Sequence, residues 1–107
     1  MEIETRYGKA EIVLKHYHTS GDLAITLDDP DTGERIAVLT INMPEEMRKD
    51  ANIKLDKDEI LVKTWSENAG IAQDCLLSGY FRDTGKRVPM GFVEAHIWMF
   101  LKEGGEI

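Results

Sequence analysis

The chain alternates apolar and polar residues with a period of two in several short runs, a pattern typical of half-buried β-strands. Such runs cover residues 9–17 and 23–27. Residues 35–43 are apolar on both faces, which indicates an interior strand covered on two sides. Residues 59–65 and 92–101 bring the prediction to about five strands, and residues 102–107 predict a frayed tail.

After residue 66 the apolar residues recur every three or four positions, a spacing typical of an α-helix. Ser66 or Asn68 is predicted to cap this helix, with Glu67 in its first turn and Gly79 at its end. Residues 44–49 predict one short additional helix, since Pro and acidic residues begin it but no apolar stripe follows. The result is an α+β fold, a mainly antiparallel sheet of about five strands with one principal helix packed on one face. The apolar stripe of that helix comprises Ile71, Ala72, Cys75, Leu76 and Tyr80.

Two Asp-Thr-Gly triplets act as turn signals. The first ends the run Asp28-Asp29-Pro30-Asp31-Thr32-Gly33, which predicts a hairpin between the second and third strands. The second, Asp83-Thr84-Gly85, predicts a turn in a basic stretch before the last strand. Aspartic proteases bring two such triplets together within apolar flanks. Both triplets here have polar flanks, so we reject that interpretation.

Length and charge restrict the class of protein. A chain of 107 residues predicts a single domain over residues 1–107. The net charge of −7 opposes direct binding to nucleic acid and favours a protein partner with a basic surface. Simple solubility is the alternative explanation of the charge. The candidate partner-binding residues are the acidic runs Asp28, Asp29, Asp31, Glu34, Glu45 and Glu46.

No catalytic pattern stands out, so we expect neither an enzyme nor a cofactor. The single cysteine, Cys75, lies on the apolar stripe and predicts a buried, inert thiol. His16 and His18 share one face of a strand and are weak candidates for a metal site, with a third ligand from His96, Asp22 or another carboxylate. Ordinary edge-strand histidines are the preferred interpretation, so no metal is predicted.

Targeting signals are also missing from the sequence pattern. The first residues have no basic and apolar leader pattern, and no apolar run approaches the roughly 20 residues of a membrane-spanning helix. We therefore expect a cytoplasmic protein with no membrane partner.

The last strand has two faces of unequal character. One face is apolar, whereas the other mixes Phe92, Trp98 and Phe100 with Glu94 and His96. These aromatic residues predict either a second covered core face or an exposed set of interface anchors. A homodimer or larger assembly through an exposed edge strand is a further alternative.

The C-terminal half resembles an uncharacterised family of small acidic proteins carried by phages and conjugative elements of gut bacteria. The resemblance rests on Trp65-Ser66-Glu67-Asn68-Ala69-Gly70 and on Asp83-Thr84-Gly85 followed by Val88-Pro89 and Gly91-Phe92. Ala69 departs from the family, where an acidic residue is usual. The resemblance implies a mobile-element protein acting in a bacterial host cell, of the anti-CRISPR or anti-restriction kind, that blocks a defence protein by binding it.

The residues that carry the resemblance are interpreted as structural. Gly70 is predicted to let the first helical turn approach another backbone closely. The structural set is Trp65, Ser66, Glu67, Asn68, Gly70, Asp83, Gly85, Pro89 and Gly91.

Overall fold

The computed structural model describes residues 1–101, so the predicted tail at residues 102–107 lies outside the described residues. Seven antiparallel strands form two sheets. The first sheet is a meander of β1 (Glu2–Thr5), β2 (Gly8–His16), β3 (Leu23–Asp28) and β4 (Arg35–Val38). The second has the order β5-β7-β6, with β5 (Glu59–Val62), β6 (Phe81–Met90) and β7 (Val93–Phe100). The predicted α+β class is confirmed, with seven strands in place of about five.

The two sheets are joined just beyond β4. Thr40 forms an isolated antiparallel bridge with Val62. The Ile41 amide donates to the Leu61 carbonyl at 3.0 Å, and the Lys63 amide donates to the Leu39 carbonyl at 2.9 Å. Counted across this bridge, the strands of the two sheets form one bent array in the order β1-β2-β3-β4-β5-β7-β6.

The principal helix closes the open side of this bent sheet. A 3₁₀ turn (Ser66–Asn68) leads into α2 (Ala69–Leu77), which contacts both β1 and β6, the outermost strands of the order. The short helix α1 (Glu45–Asp50) lies where it was predicted. Cys75 is buried as predicted, and burial, with a smaller effect of Asp74, raises the pKa of its thiol to about 12.

The predicted side-chain cap of the principal helix is wrong. Neither Ser66 nor Asn68 makes a capping hydrogen bond. Asn68 is buried and instead donates through Nδ2 to the carbonyls of Val38 and Lys63. Glu67 lies in the 3₁₀ turn that precedes α2 rather than in the first turn of α2. It accepts a hydrogen bond from Lys63 Nζ at 2.5 Å that lowers its pKa to about 2.

Gly70 makes a close approach to a side chain rather than to another backbone. A Cβ at this position would lie 2.3 Å from Arg6 Nη1. The Arg6 guanidinium lies across Gly70 because its Nε and Nη2 donate to the carboxylate of Asp74, one helical turn further on, at 3.0 and 3.3 Å.

The second Asp-Thr-Gly triplet lies inside β6 rather than in a turn between elements. The pairing register of β6 with β7 shifts between Asp83 and Arg87, which marks a bulge. Gly85 has φ 87°, and its amide donates to Asp83 Oδ1 at 2.9 Å. Thr84 Oγ1 donates to the Ile97 carbonyl at 2.6 Å, so the bulge remains tied to β7. Turn-forming residues thus bend this strand without ending it.

The second sheet is covered on both faces. Trp98 and Phe100 of β7 pack with Phe81 in the larger core cluster beneath α2. Ala95 and Ile97, on the opposite face of β7, pack in a smaller cluster; its other members are Met43, Leu61 and Val88, with Ile41, Ile53, Leu55, Trp65 and Met90 partly buried against it. Of the two alternatives for the aromatic face, Trp98 and Phe100 belong to the core, whereas Phe92 is fully exposed.

Candidate protein-interaction surface

A row of carboxylates crosses the outer face of the first sheet. Glu2 pairs directly with Glu11, and Glu11 pairs with Asp28 on the next strand. Residues directly opposite on neighbouring strands point to the same face. Because Ile3, Ile12 and Leu27 point into the core from the alternate positions, these three carboxylates point outward.

We call the surface around this row the acidic face. It combines four of the six predicted partner-binding residues with three from the first two strands that the sequence interpretation missed. The missed residues carry a weak signal, since Glu2 and Glu4 flank the inward Ile3. Their alignment with Asp28 depends on strand pairing, which the sequence alone does not provide. The acidic face comprises Glu2, Glu4, Glu11, Asp28, Asp29, Asp31 and Glu34.

Cations lie beside three of these seven carboxylates, and Lys9 lies directly opposite Glu4 on β2. The amino terminus of Met1 lies 3.2 Å from Glu11 Oε1, and Arg35 Nε lies 3.9 Å from Asp28 Oδ1. Within residues 1–101, the remaining carboxylates of the acidic face form no ion pair: Glu2, Glu4, Asp29, Asp31 and Glu34. Like charges directly opposite on neighbouring strands are unfavourable. Binding of a cationic partner would therefore relieve repulsion that the carboxylates retain in the isolated protein.

The predicted hairpin between β3 and β4 is confirmed and holds part of the acidic face. Asp29 Oδ1 accepts hydrogen bonds from the amides of Asp31 at 2.8 Å and Thr32 at 3.2 Å. The Asp29 carboxylate therefore fixes the turn. The side chains of Asp31 and Glu34 are exposed and free to meet a partner.

Glu45 and Glu46 lie away from the acidic face. They begin α1, at the end of the first sheet opposite the β3–β4 hairpin. The length of β3 alone separates these ends by roughly 17 Å. Glu45 lies 3.8 Å from Lys49 and is partly compensated. The six predicted residues therefore fall into two separate groups.

The histidines do not converge. His16 ends β2, His18 lies in the following turn, and both are exposed, whereas His96 lies on β7 of the second sheet. Among residues 1–101 no group of three or more His, Cys, Asp or Glu side chains could hold a metal ion. In the same part of the chain, no helix is long and apolar enough to cross a membrane.

A cleft of about 480 Å³ lies between the β2–β3 turn and the start of α1. Arg48 lines it and is held by Asp22, with Nη2 to Oδ2 at 2.5 Å. Ser20 also lines it, and its hydroxyl donates to the Asn42 side-chain oxygen at 3.4 Å. The Asn42 amide accepts this hydrogen bond but is too weak a base to deprotonate the hydroxyl. The geometry around Ser20 therefore does not support acyl transfer.

The bulge of β6 carries two ion pairs that the sequence did not reveal. Lys86 Nζ lies 2.6 Å from Glu59 Oε2, whose side chain is buried in β5. Burial opposes ionisation of Glu59, but hydrogen bonds from the Asp56 amide and from Lys86 lower its pKa overall. Arg87 donates from Nη1 and Nη2 to the two oxygens of Asp83, both at 2.8 Å, and lowers the pKa of that carboxyl. The Lys86 pair ties the bulge to β5, whereas the Arg87 pair spans the bulge within β6.

Comparison with known proteins gives no relatives: no family model matches this chain, and neither does any curated protein or solved structure. The inferences that follow rest on its own residues and on the resemblance described above.

Proposed function

We propose that this chain is a small, non-catalytic interaction protein of a phage or other mobile element. It inhibits a host defence protein, or another protein that handles nucleic acid, by occluding a basic surface. The observation that supports this proposal most strongly is the cross-strand row Glu2, Glu11 and Asp28.

The physical mechanism is substitution for a phosphate backbone. Enzymes that bind nucleic acid present clustered Lys and Arg side chains, and a rigid array of carboxylates competes for the same cations. Uncompensated negative charge also steers the encounter and raises the association rate at low ionic strength. Occlusion needs no reaction chemistry, only a face that stays in place.

The fold holds this face rigid. Strands β1 to β3 are paired along their lengths, and the side chains beneath the carboxylates are core residues with almost no exposure: Ile3, Ala10, Ile12 and Leu27. A preorganised surface loses little conformational entropy on binding.

The resemblance to small acidic proteins of phages and conjugative elements supports the same role. A protein of this size, without a catalytic constellation in its candidate site, fits inhibition by binding. The expected partner is a host protein, and direct contact with nucleic acid is disfavoured by the net charge of −7.

The proposal is tested by capturing host proteins from a bacterial lysate with the purified chain. The decisive variant is Glu2→Gln/Glu11→Gln/Asp28→Asn, which neutralises the row while keeping side-chain shape. Glu45→Gln/Glu46→Gln is the matched control at the other end of the sheet. We expect a nucleic-acid-handling protein to be retained at low salt and lost at high salt, and the row variant to fail where the control succeeds.

Three results would reject the proposal. These are no specific partner, a partner retained equally at high salt, or a row variant that binds as well as the wild type does.

A further inference from the structure

Three hairpin loops lie at the same end of the fold. Antiparallel pairing along β1-β2-β3-β4-β5-β7-β6 places the β1–β2, β3–β4 and β6–β7 connections on one side and the β2–β3 turn on the other. We call this side the loop end. Its three loops centre on Arg6-Tyr7, on Asp31 to Glu34, and on Gly91-Phe92.

Phe92 is the most exposed large apolar residue of the described chain, with a relative exposure of 108%. Met90 pairs with Val93, so Gly91 and Phe92 form a two-residue turn. Gly91 takes φ 73° at the first turn position, as a type II′ turn requires. The second turn position, occupied by Phe92, does not require a positive φ. The neighbouring Met90, rather than Phe92, packs against the core. Nothing in the turn geometry calls for a phenyl ring in water.

A second aromatic residue lies on the loop end. Tyr7, in the β1–β2 connection, is 66% exposed. Its backbone is fixed, because the Tyr7 amide donates to Thr5 Oγ1 at 3.1 Å and Thr5 Oγ1 donates to the Gly8 carbonyl at 2.8 Å. Rigid aromatic side chains are the residue type that most often anchors protein interfaces.

The loop end is also negatively charged. Glu94, two residues after Phe92, is exposed and forms no ion pair within residues 1–101. Asp31 and Glu34 carry uncompensated charge on the middle loop. Three cations lie beside these loops: Arg6 is bound to Asp74, Arg35 lies 3.9 Å from Asp28, and Lys9 lies directly opposite Glu4. A partner would bind this end more favourably if Lys and Arg side chains surrounded the pocket that receives the aromatic side chain.

We propose that the loop end is the surface that docks on the partner protein, with Phe92 inserted into an apolar pocket bordered by Lys and Arg side chains. The inference rests on the proposed function and names the chemistry of its partner. The acidic face and the loop end share Asp31 and Glu34, so the two surfaces form one continuous footprint.

The size of the footprint fits a specific interface. At about 4.8 Å between neighbouring strands, the first and second loops are roughly 10 Å apart along the first sheet. A standard interface of about 800 Å² on each partner covers such a distance.

The test selects ligands directly, so the partner protein does not have to be identified first. A displayed library of random peptides is panned against the folded wild-type protein, and the enriched peptides are synthesised and titrated against variants. Phe92→Ala is the decisive variant, because an exposed turn residue does not affect the core. Met47→Ala is the matched control, since Met47 is 42% exposed on α1, at the end of the fold opposite the loop end.

We expect enriched peptides to combine Lys or Arg with an apolar residue and to lose roughly tenfold or more in affinity for Phe92→Ala. Their affinity for Met47→Ala should be unchanged. Failure to enrich any peptide, equal binding to Phe92→Ala, or enriched peptides without basic residues would each overturn the inference.

The outcome is separable from that of the proposed function. If the acidic-row variant loses its partner from lysate while Phe92→Ala keeps it, the acidic face is retained and the loop end is rejected. If neither variant loses a partner, both are rejected.

Discussion

Asn68 Nδ2 lies 2.8 Å from the carbonyl oxygen of Val38, in the last residue of β4. The same nitrogen donates to the Lys63 carbonyl at 3.1 Å. Both carbonyls lie where β4 and β5 separate, beyond the Thr40–Val62 bridge. One buried amide therefore satisfies backbone groups that strand pairing leaves unpaired at the junction of the two sheets.

Replacing Asn68 with Ala should destabilise the fold. The change leaves two carbonyls at the sheet junction without a donor, and an unsatisfied buried polar group costs about 1–3 kcal/mol. Urea unfolding followed by tryptophan fluorescence measures the loss, with Trp98 as the buried reporter. An Asn68→Ala variant as stable as the wild type would contradict the assigned role.

Ser66→Gly is the control for the same motif. Ser66 has φ 59°, a left-handed conformation that glycine adopts without strain, and it makes no capping bond. We expect this variant to keep wild-type stability or gain a few tenths of a kcal/mol. A loss near 1 kcal/mol would restore Ser66 as the helix cap.

Gly70 and Arg6 should be energetically coupled. Glycine within a helix costs about 1 kcal/mol relative to alanine. A Cβ at position 70 would displace the Arg6 guanidinium and break its exposed pair with Asp74, and this loss opposes the gain in helix propensity. Gly70→Ala alone should therefore change stability little. In an Arg6→Ala background the same substitution should stabilise by about 1 kcal/mol, and a double-mutant cycle in urea that gave additive effects would exclude the coupling.

Lys86→Met should leave a buried carboxylate without its cation. Losing one partner of a buried pair costs about 3–5 kcal/mol, and we expect about 2 kcal/mol because half of the Lys86 side chain is in solvent. The variant lacks the hydrogen bond and the charge of Lys86, which both lower the pKa of Glu59, so the loss should shrink as acid protonates Glu59. The Glu59→Gln/Lys86→Met double variant should recover most of the stability. A pH-independent loss would point to packing instead.

His96 should make stability depend on pH near neutrality. Burial, and secondly Arg87, lowers its pKa below the ordinary 6.5, whereas Asp83 and Glu94 act weakly in the opposite direction. The unfolded chain then binds the proton more readily than the folded protein does. The contribution of His96 to the free energy of unfolding is therefore complete above pH 6.5 and declines as the pH falls through the folded pKa of His96. His96→Gln should remove this slope and leave the later loss caused by the carboxylates with lowered pKa values, Glu59, Glu67, Asp74 and Asp83. Urea unfolding midpoints measured at a series of pH values test this prediction. An unchanged slope in the His96→Gln variant would contradict it.

The elements that sequence periodicity predicted correctly are those whose pattern reflects local burial. The runs that became β2 and β3 alternate because one face meets the core, and α2 has its stripe for the same reason. The runs that became β5 and β7 are rich in apolar residues because both of their faces are covered. β1 escaped prediction because its four residues contain one apolar side chain, Ile3. β6 escaped because Asp83, Thr84 and Gly85 form turns in most contexts, and only their bonds within the sheet keep the strand continuous.

The candidate surface was only partly predictable for a different reason. Charge runs reveal carboxylates that are close in sequence, such as Asp28 and Asp31. The row Glu2, Glu11 and Asp28 is created by register between strands, which no local pattern contains. The same limit applies to Asn68, because its acceptor Val38 is 30 residues away.

The most direct test of the account is protection of a phage in cells that defend themselves. Bacteria carrying a CRISPR effector or a restriction enzyme express the wild type, the Glu2→Gln/Glu11→Gln/Asp28→Asn variant or the Glu45→Gln/Glu46→Gln control, at matched folded levels. We predict that the wild type and the control restore plaque formation against at least one such system and that the acidic-row variant does not. Equal plaque numbers with the acidic-row variant and the wild type, or no restoration by the wild type in any such system, would contradict inhibition through the acidic face.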